Sequence, residues 1–167
     1  MLWRLAESLV KLRNQINNIA PNRSKASDGT IGDSEHAKQG YASQHNPNAQ
    51  GVVCAFDITN DPSGGLDVQK LADSIMQSQD GRVRYMIFSG RICVPSDTGW
   101  KWVSFGGDPH LKHLHISVWN DYDNLADWNI GKKEDKRMVE DNQVGILYEA
   151  GVSRFSDGIA FKTINAS

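Results

Sequence analysis

Apolar residues recur at three- and four-residue steps at the start of the chain. Leu2, Leu5, Leu9, Leu12, Ile16 and Ile19 form the repeat, with Arg4, Glu7, Lys11 and Arg13 between them. That spacing predicts an amphipathic helix with one buried stripe, ended by Pro21. From residue 22 to residue 50 the periodicity fades, and Ser, Asp, Asn, Gly and Gln dominate around Pro47. A long ordered loop is the expectation, and loops of that length inside a domain tend to be functional. Val52 to Thr59 reads as a buried strand, Asp61 to Gly65 as a turn, and Asp67 to Met76 as a helix with Val68, Leu71, Ala72 and Ile75 on one face. Val83 to Phe88 reads as a strand, Arg91 to Val94 as a short one after Ser89-Gly90, and Trp100 to Val103 as a further one. His113 to Val118 alternates cleanly between polar and apolar, the pattern of a half-buried strand.

After Trp128 the pattern changes. Residues 131–140 are dense in charge and residues 141–167 carry no sharp signal. The expected organisation is one domain over residues 1–130, followed by a charged linker or extension over residues 131–167 with room for the start of a second module. A chain of 167 residues with 39% hydrophobic and 23% charged residues can bury a core without disulfides. Cys54 and Cys93 each sit in an apolar run outside any Cys-x-x-Cys pair, so a thiolate zinc site is not supported and both read as buried small hydrophobes. The net charge of −2 supplies no basic stripe for nucleic acid. No apolar stretch approaches the ~20 residues that span a bilayer. The first residues lack a secretory signal pattern, so synthesis in the cytoplasm is expected.

The candidate chemistry is concentrated in histidines. Three of the five, His110, His113 and His115, fall within six residues. His113 and His115 project from the same face of a strand, about 7 Å apart at Cα. So dense a cluster beside a strand points to a metal or catalytic site rather than to packing. Upstream stand His45, in the long loop, and Asp57, a carboxylate inside an apolar strand whose burial would be costly without a cation. An aspartate capping the turn that follows is the structural alternative. One histidine and one aspartate from this region with one histidine from the later cluster make three N/O ligands, the pattern of a catalytic zinc with a position left for water.

These residues resemble a known group. Ser43-x-His45 with Ala55-x-Asp57 and His113-x-His115 is similar to the D-alanyl-D-alanine carboxypeptidase/lysostaphin-like zinc peptidase superfamily. The runs Asp28-Gly29-Thr30-Ile31-Gly32-Asp33-x-x-His36, Ser43 to Asn48, Gly51 to Thr59 and Asp108-Pro109-His110-x-x-His113-x-His115-Ile116-Ser117-Val118 resemble catalytic domains of phage endolysins over roughly residues 1–119. The resemblance implies an α+β fold, a central antiparallel sheet with N-terminal and flanking helices and zinc in a groove on the sheet. It implies one zinc ion on His45, Asp57 and His115, with His113 as general base and His110 assisting. It further implies Arg23 and Ser43 at the substrate, and bacterial peptidoglycan as the partner, reached from the host cytoplasm at lysis. Two features depart from the pattern: an insertion over Asn46–Gln50 lengthens the spacing from His45 to Asp57, and Lys112 stands where many relatives carry a carboxylate base. His36 is expected to shape the loop.

Three rival functions fit parts of the pattern. A His-hydrophobic-His nuclease would use Tyr122 or Tyr148, but leaves His45 and Asp57 unexplained. A paired His-x-Ser phosphodiesterase needs two motifs, and only His115-Ile116-Ser117 is present. A cell-wall binding module would stack sugars on Trp100, Trp102 and Trp119, and leaves the histidines idle.

Overall fold

The structure is a computed structural model and describes residues 3–40, 43–119 and 123–131. The extension expected from residue 132 onward, and with it Tyr148, lies outside the described residues, as do Leu2 and Tyr122.

The chain opens on a two-residue strand, β1 (Arg4–Leu5), and then enters helix α1 (Glu7–Ile19). The expected helix therefore starts later than its apolar repeat. Leu5 is drawn into parallel pairing with β2 (Val52–Val53), with the Arg4 N–H donating to the Gly51 carbonyl and the Ala6 N–H to that of Val53, both at 2.9 Å. Leu9, Leu12 and Ile16 carry the buried stripe, each side chain worth ~1.5–3 kcal/mol of burial. Ile19, the last member of the repeat, is 53% exposed, because the helix outruns the surface it covers.

The apolar run expected as one strand is two. β2 serves the small sheet, and after Cys54 the chain continues as β3 (Ala55–Thr59) in a five-stranded antiparallel sheet. Cys54 joins them by donating its N–H to the Gln44 carbonyl and accepting from Val118 N–H. After the short helix α2 (Ser34–Lys38), helix α3 (Val68–Ser78) buries Val68, Leu71, Ala72 and Ile75, as its periodicity predicts; Asp67 caps it by accepting from the N–H groups of Gln69 and Lys70. β4 (Val83–Phe88) and β5 (Arg91–Cys93) form a hairpin closed by Ser89 and Gly90 at φ 51° and 71°, the left-handed pair that suits the sheet's twist. Trp100 has φ 62° and cannot begin a strand; the expected element shrinks to β6 (Val103–Ser104). With β7 (His113–Val118) the strand order is β3-β7-β4-β5-β6.

This order makes β7 central, and its alternation gives the sheet two unlike faces. Leu114, Ile116 and Val118 join Phe56, Ile58, Met86 and the apolar stripes of α1 and α3 in the core. His113, His115 and Ser117 point the other way, beside Thr59 and Asp57 across the β3 pairing and Ile87 and Tyr85 across the β4 pairing. Gly29, His45 and His110 border that second face. At the other end of the described chain, Trp128 and Ile130 return to the core; the Trp128 indole N–H donates to the Ser8 carbonyl at 2.7 Å and the Arg82 guanidinium lies 3.9 Å over its ring. Cys54 and Cys93 are buried thiols. The sequence expectation of an α+β fold around a central antiparallel sheet is met.

Candidate metal centre

Sheet register assembles half of the site. Asp57 on β3 and His115 on β7 are direct cross-strand partners, a relation that sets their Cβ atoms ~4.5–5.5 Å apart. The other half comes from the loop. Gly29 forms an isolated antiparallel bridge with Asp57, its N–H donating to the Asp57 carbonyl and its carbonyl accepting from Asp57 N–H at 2.8 Å. Only glycine allows so close an approach: a Cβ there would lie 2.9 Å from Asp57 Oδ2. Next along, the Thr30 carbonyl accepts from His45 Nδ1–H at 2.7 Å. His45 itself is fixed by the Gly32 N–H on its carbonyl, by the Ser43 Oγ on its own N–H, and by Asn46, whose side chain donates to the His36 and Gly40 carbonyls. His36 Nδ1 lies 2.9 Å from Asp33 Oδ1 within the same loop.

The result is a triangle of donor atoms. His45 Nε2 lies 3.2 Å from Asp57 Oδ1 and 3.1 Å from His115 Nδ1, and His115 Nδ1 lies 3.0 Å from Asp57 Oδ1. The edge of a zinc tetrahedron with ~2.0–2.1 Å bonds is about 3.3 Å, so the three atoms stand almost at ligand spacing. The tautomers agree. A carbonyl can only accept, so Thr30 requires the proton on His45 Nδ1 and leaves the Nε2 lone pair facing the triangle. Ser117 Oγ, 2.9 Å from His115 Nε2, can accept that ring's N–H, an arrangement that leaves the Nδ1 lone pair facing inward. Outer hydrogen bonds of this kind are how metal-binding imidazoles are oriented. Three lone-pair atoms packed together need a cation or a proton between them. The residues therefore fit a divalent metal ion, and His45, Asp57 and His115 are a group that could hold one.

Burial and mutual contact shift the protonation of all three groups. Burial alone would raise the Asp57 carboxyl, but its contacts with His115 and His45, and their charges, hold it well below the usual carboxylate range. Burial lowers the His45 imidazole, yet the hydrogen bond and charge of Asp57 more than reverse this, and its pKa is raised. His115 is the most enclosed, and burial pushes it down to about 4 despite Asp57, so it enters the site as the neutral ligand form. A cation that replaces the shared proton leaves all three groups in their ligating state.

His113 and His110 stand on the open side of the triangle. Their side chains are 23% and 14% exposed, against 4% and 5% for His45 and His115. His113 Nε2 is 3.8 Å from Asp57 Oδ1, and the His110 ring meets the His113 ring edge-on at 4.9 Å. Burial lowers the His113 pKa, partly offset by Asp57. A groove of about 410 Å³ runs beside them, lined in part by Ser27, Asp108, Leu111 and Lys112. Tyr85 stacks on His115, ring centroids 5.2 Å apart.

Arg23 and Ser43, expected at the substrate, both make contacts within the scaffold. The Arg23 side chain is fully buried and makes a two-pronged pair with Asp28 at 2.8 and 2.6 Å, with further bonds to Asn17 and the Ser24 carbonyl. The pair anchors the loop that carries Gly29 and Thr30. Asp28 completes the anchor by accepting from both the N–H and the hydroxyl of Thr59. Ser43 is buried and its Oγ is occupied by His45 N–H. The supporting roles of Asp28, Gly29, Thr30, Ser117 and Tyr85 were not read from the sequence, although all but Tyr85 lie in the runs that carry the resemblance. Comparison with protein-family models, curated proteins and solved structures finds no match.

Proposed function

We propose that this chain is a zinc-dependent peptidase that hydrolyses peptide bonds of bacterial peptidoglycan, an enzyme of the endolysin type. The observation that carries the reading is the convergence of three donor atoms at ligand spacing beneath two more exposed histidines. Three N/O ligands with an open side is the arrangement of a hydrolytic zinc rather than a structural one. Zinc held by His45, Asp57 and His115 would acidify water towards a pKa of ~7 and polarise the scissile carbonyl.

The protein's own part is proton handling and placement. His113, its pKa lowered by burial, is unprotonated at neutral pH and accepts a proton at Nε2 as water adds to the carbonyl carbon. As the C–N bond breaks, the leaving nitrogen takes a proton from the same pair of rings, with His110 at 4.9 Å adjoining the transfer. Lys112 is exposed and offers no carboxylate, so base work falls to these histidines. The resemblance of the Ser43–His45, Ala55–Asp57 and His113–His115 motifs to cell-wall peptidases supplies the substrate class. The near-neutral chain and the mixed charges of the groove suit an extended peptide better than a polyanion. No helix among the described residues is long and apolar enough to cross a membrane. Trp100 and Trp102 pack against the core, which disfavours them as a sugar platform.

Purified protein is expected to carry about one tightly held zinc per chain, as a three-ligand site should. Chelation is expected to abolish the release of new amino termini from purified cell walls. His113→Ala should keep the zinc and lose roughly 10²–10⁴-fold in rate, the usual worth of a positioned general base. Release of reducing sugars alone, or loss of zinc in that variant, refutes the assignment.

A further inference from the structure

Asp57 Oδ1 belongs to two donor groups. On one side are His45 and His115; on the other are His110 and His113, whose donor atoms lie within 4.8 Å of each other and of the same carboxylate. The outer group has the same construction as the inner one. His110 Nδ1–H donates to the Asp108 carbonyl at 2.7 Å, which fixes its tautomer and leaves Nε2 as a lone-pair atom. Its backbone is held in the left-handed region at φ 49°, an uncommon conformation for a non-glycine residue and one kept where the side chain must be aimed. A backbone N–H bond to Asp108 Oδ1 at 3.3 Å and the edge-on contact with His113 hold the ring in place. Both rings reach the groove, so a cation can enter from solvent.

We infer that His110, His113 and Asp57 form a second, weaker divalent-cation site that shares the Asp57 carboxylate with the inner one, and that filling it switches the enzyme off. The outer site is weaker for two reasons. His113 Nε2 stands 3.8 Å from Asp57 Oδ1, beyond the 3.0–3.2 Å of the inner triangle, so side chains must move to close on an ion. It also lies next to a positive charge once the inner site is filled. The inhibitory sense rests on the proposed function: an outer cation takes the His113 lone pair that must accept a proton. The binding claim stands without that reading.

Calorimetric titration of the chelator-treated full chain with zinc chloride, checked by metal analysis after dialysis, tests both. Two sites are expected, the second weaker by at least about tenfold. His110→Asn, which tolerates the left-handed backbone, should weaken the second site by more than about tenfold and leave the first within about twofold. Wall hydrolysis by the wild type should rise to one zinc per chain and fall as the second binds, and the fall should shift to higher zinc in His110→Asn. A single site in the wild type, or a second site indifferent to His110→Asn, overturns the proposal and leaves the peptidase reading intact. No zinc binding at all overturns both. Two sites with undiminished hydrolysis overturn the switch.

Discussion

Replacing Arg23 with alanine separates a scaffold role from a substrate role. The guanidinium is fully buried, makes two parallel bonds to Asp28, and also bonds Asn17 and the Ser24 carbonyl. Removing one partner of a buried ion pair costs ~3–5 kcal/mol, because the other charge is left unpaired. Asp28 is 16% exposed and keeps two bonds from Thr59, so the low end, about 3 kcal/mol, applies here. For a domain of this size that is a fall in Tm of about 10 °C. Arg23→Lys should recover only part of it, since an ammonium cannot reproduce the two-pronged geometry. A double-mutant cycle with Asp28→Asn should return a coupling of at least ~1 kcal/mol. Because this pair anchors the segment bearing Gly29 and Thr30, zinc affinity should also drop, by ~10–100-fold, the range for a lost orienting contact. Thermal melts by circular dichroism and zinc titration read both effects. A variant that melts within about 2 °C of the wild type, binds zinc normally and shows only a raised KM would refute this, and would return Arg23 to the substrate.

Three further outcomes follow from the same geometry. Gly29→Ala drives a Cβ to 2.9 Å from Asp57 Oδ2, so zinc titration should show affinity falling by at least ~10-fold with a smaller loss in Tm. The Asp28 carboxyl is held below its ordinary value: burial raises it, but Arg23 and Thr59 lower it further. A depressed carboxylate stabilises the fold above its unfolded value of 3.8 and loses that contribution as pH falls through the folded one, so melts recorded below pH 4 should show the loss, and Asp28→Asn should flatten it. Asp67→Ala removes the acceptor for two N–H groups of α3 and should cost ~1 kcal/mol in denaturant titrations without changing zinc binding.

Much of this protein was determined by local sequence. The alternation of His113 to Val118 already implies one apolar and one polar face, since a strand's side chains alternate whatever lies beside it. The stripe of Val68, Leu71, Ala72 and Ile75 implies α3 by the same logic, and Asp57 within an apolar run implies a partner for its charge. Tertiary structure decided what depends on distant partners. Leu5 continues the helical repeat, but pairing with Val53 draws it into a strand. Arg23 looks like any polar residue at a loop until Asp28 and burial claim its guanidinium. Which of His113 and His115 joins the inner triangle belongs to register: both share a face, and only pairing with Asp57 on one side and Ile87 on the other sets His115 beside the carboxylate and leaves His113 towards the groove. Spacing along a chain sets which way a side chain points; which atoms it meets is set by strand pairing and loop closure, and these are written in no single segment.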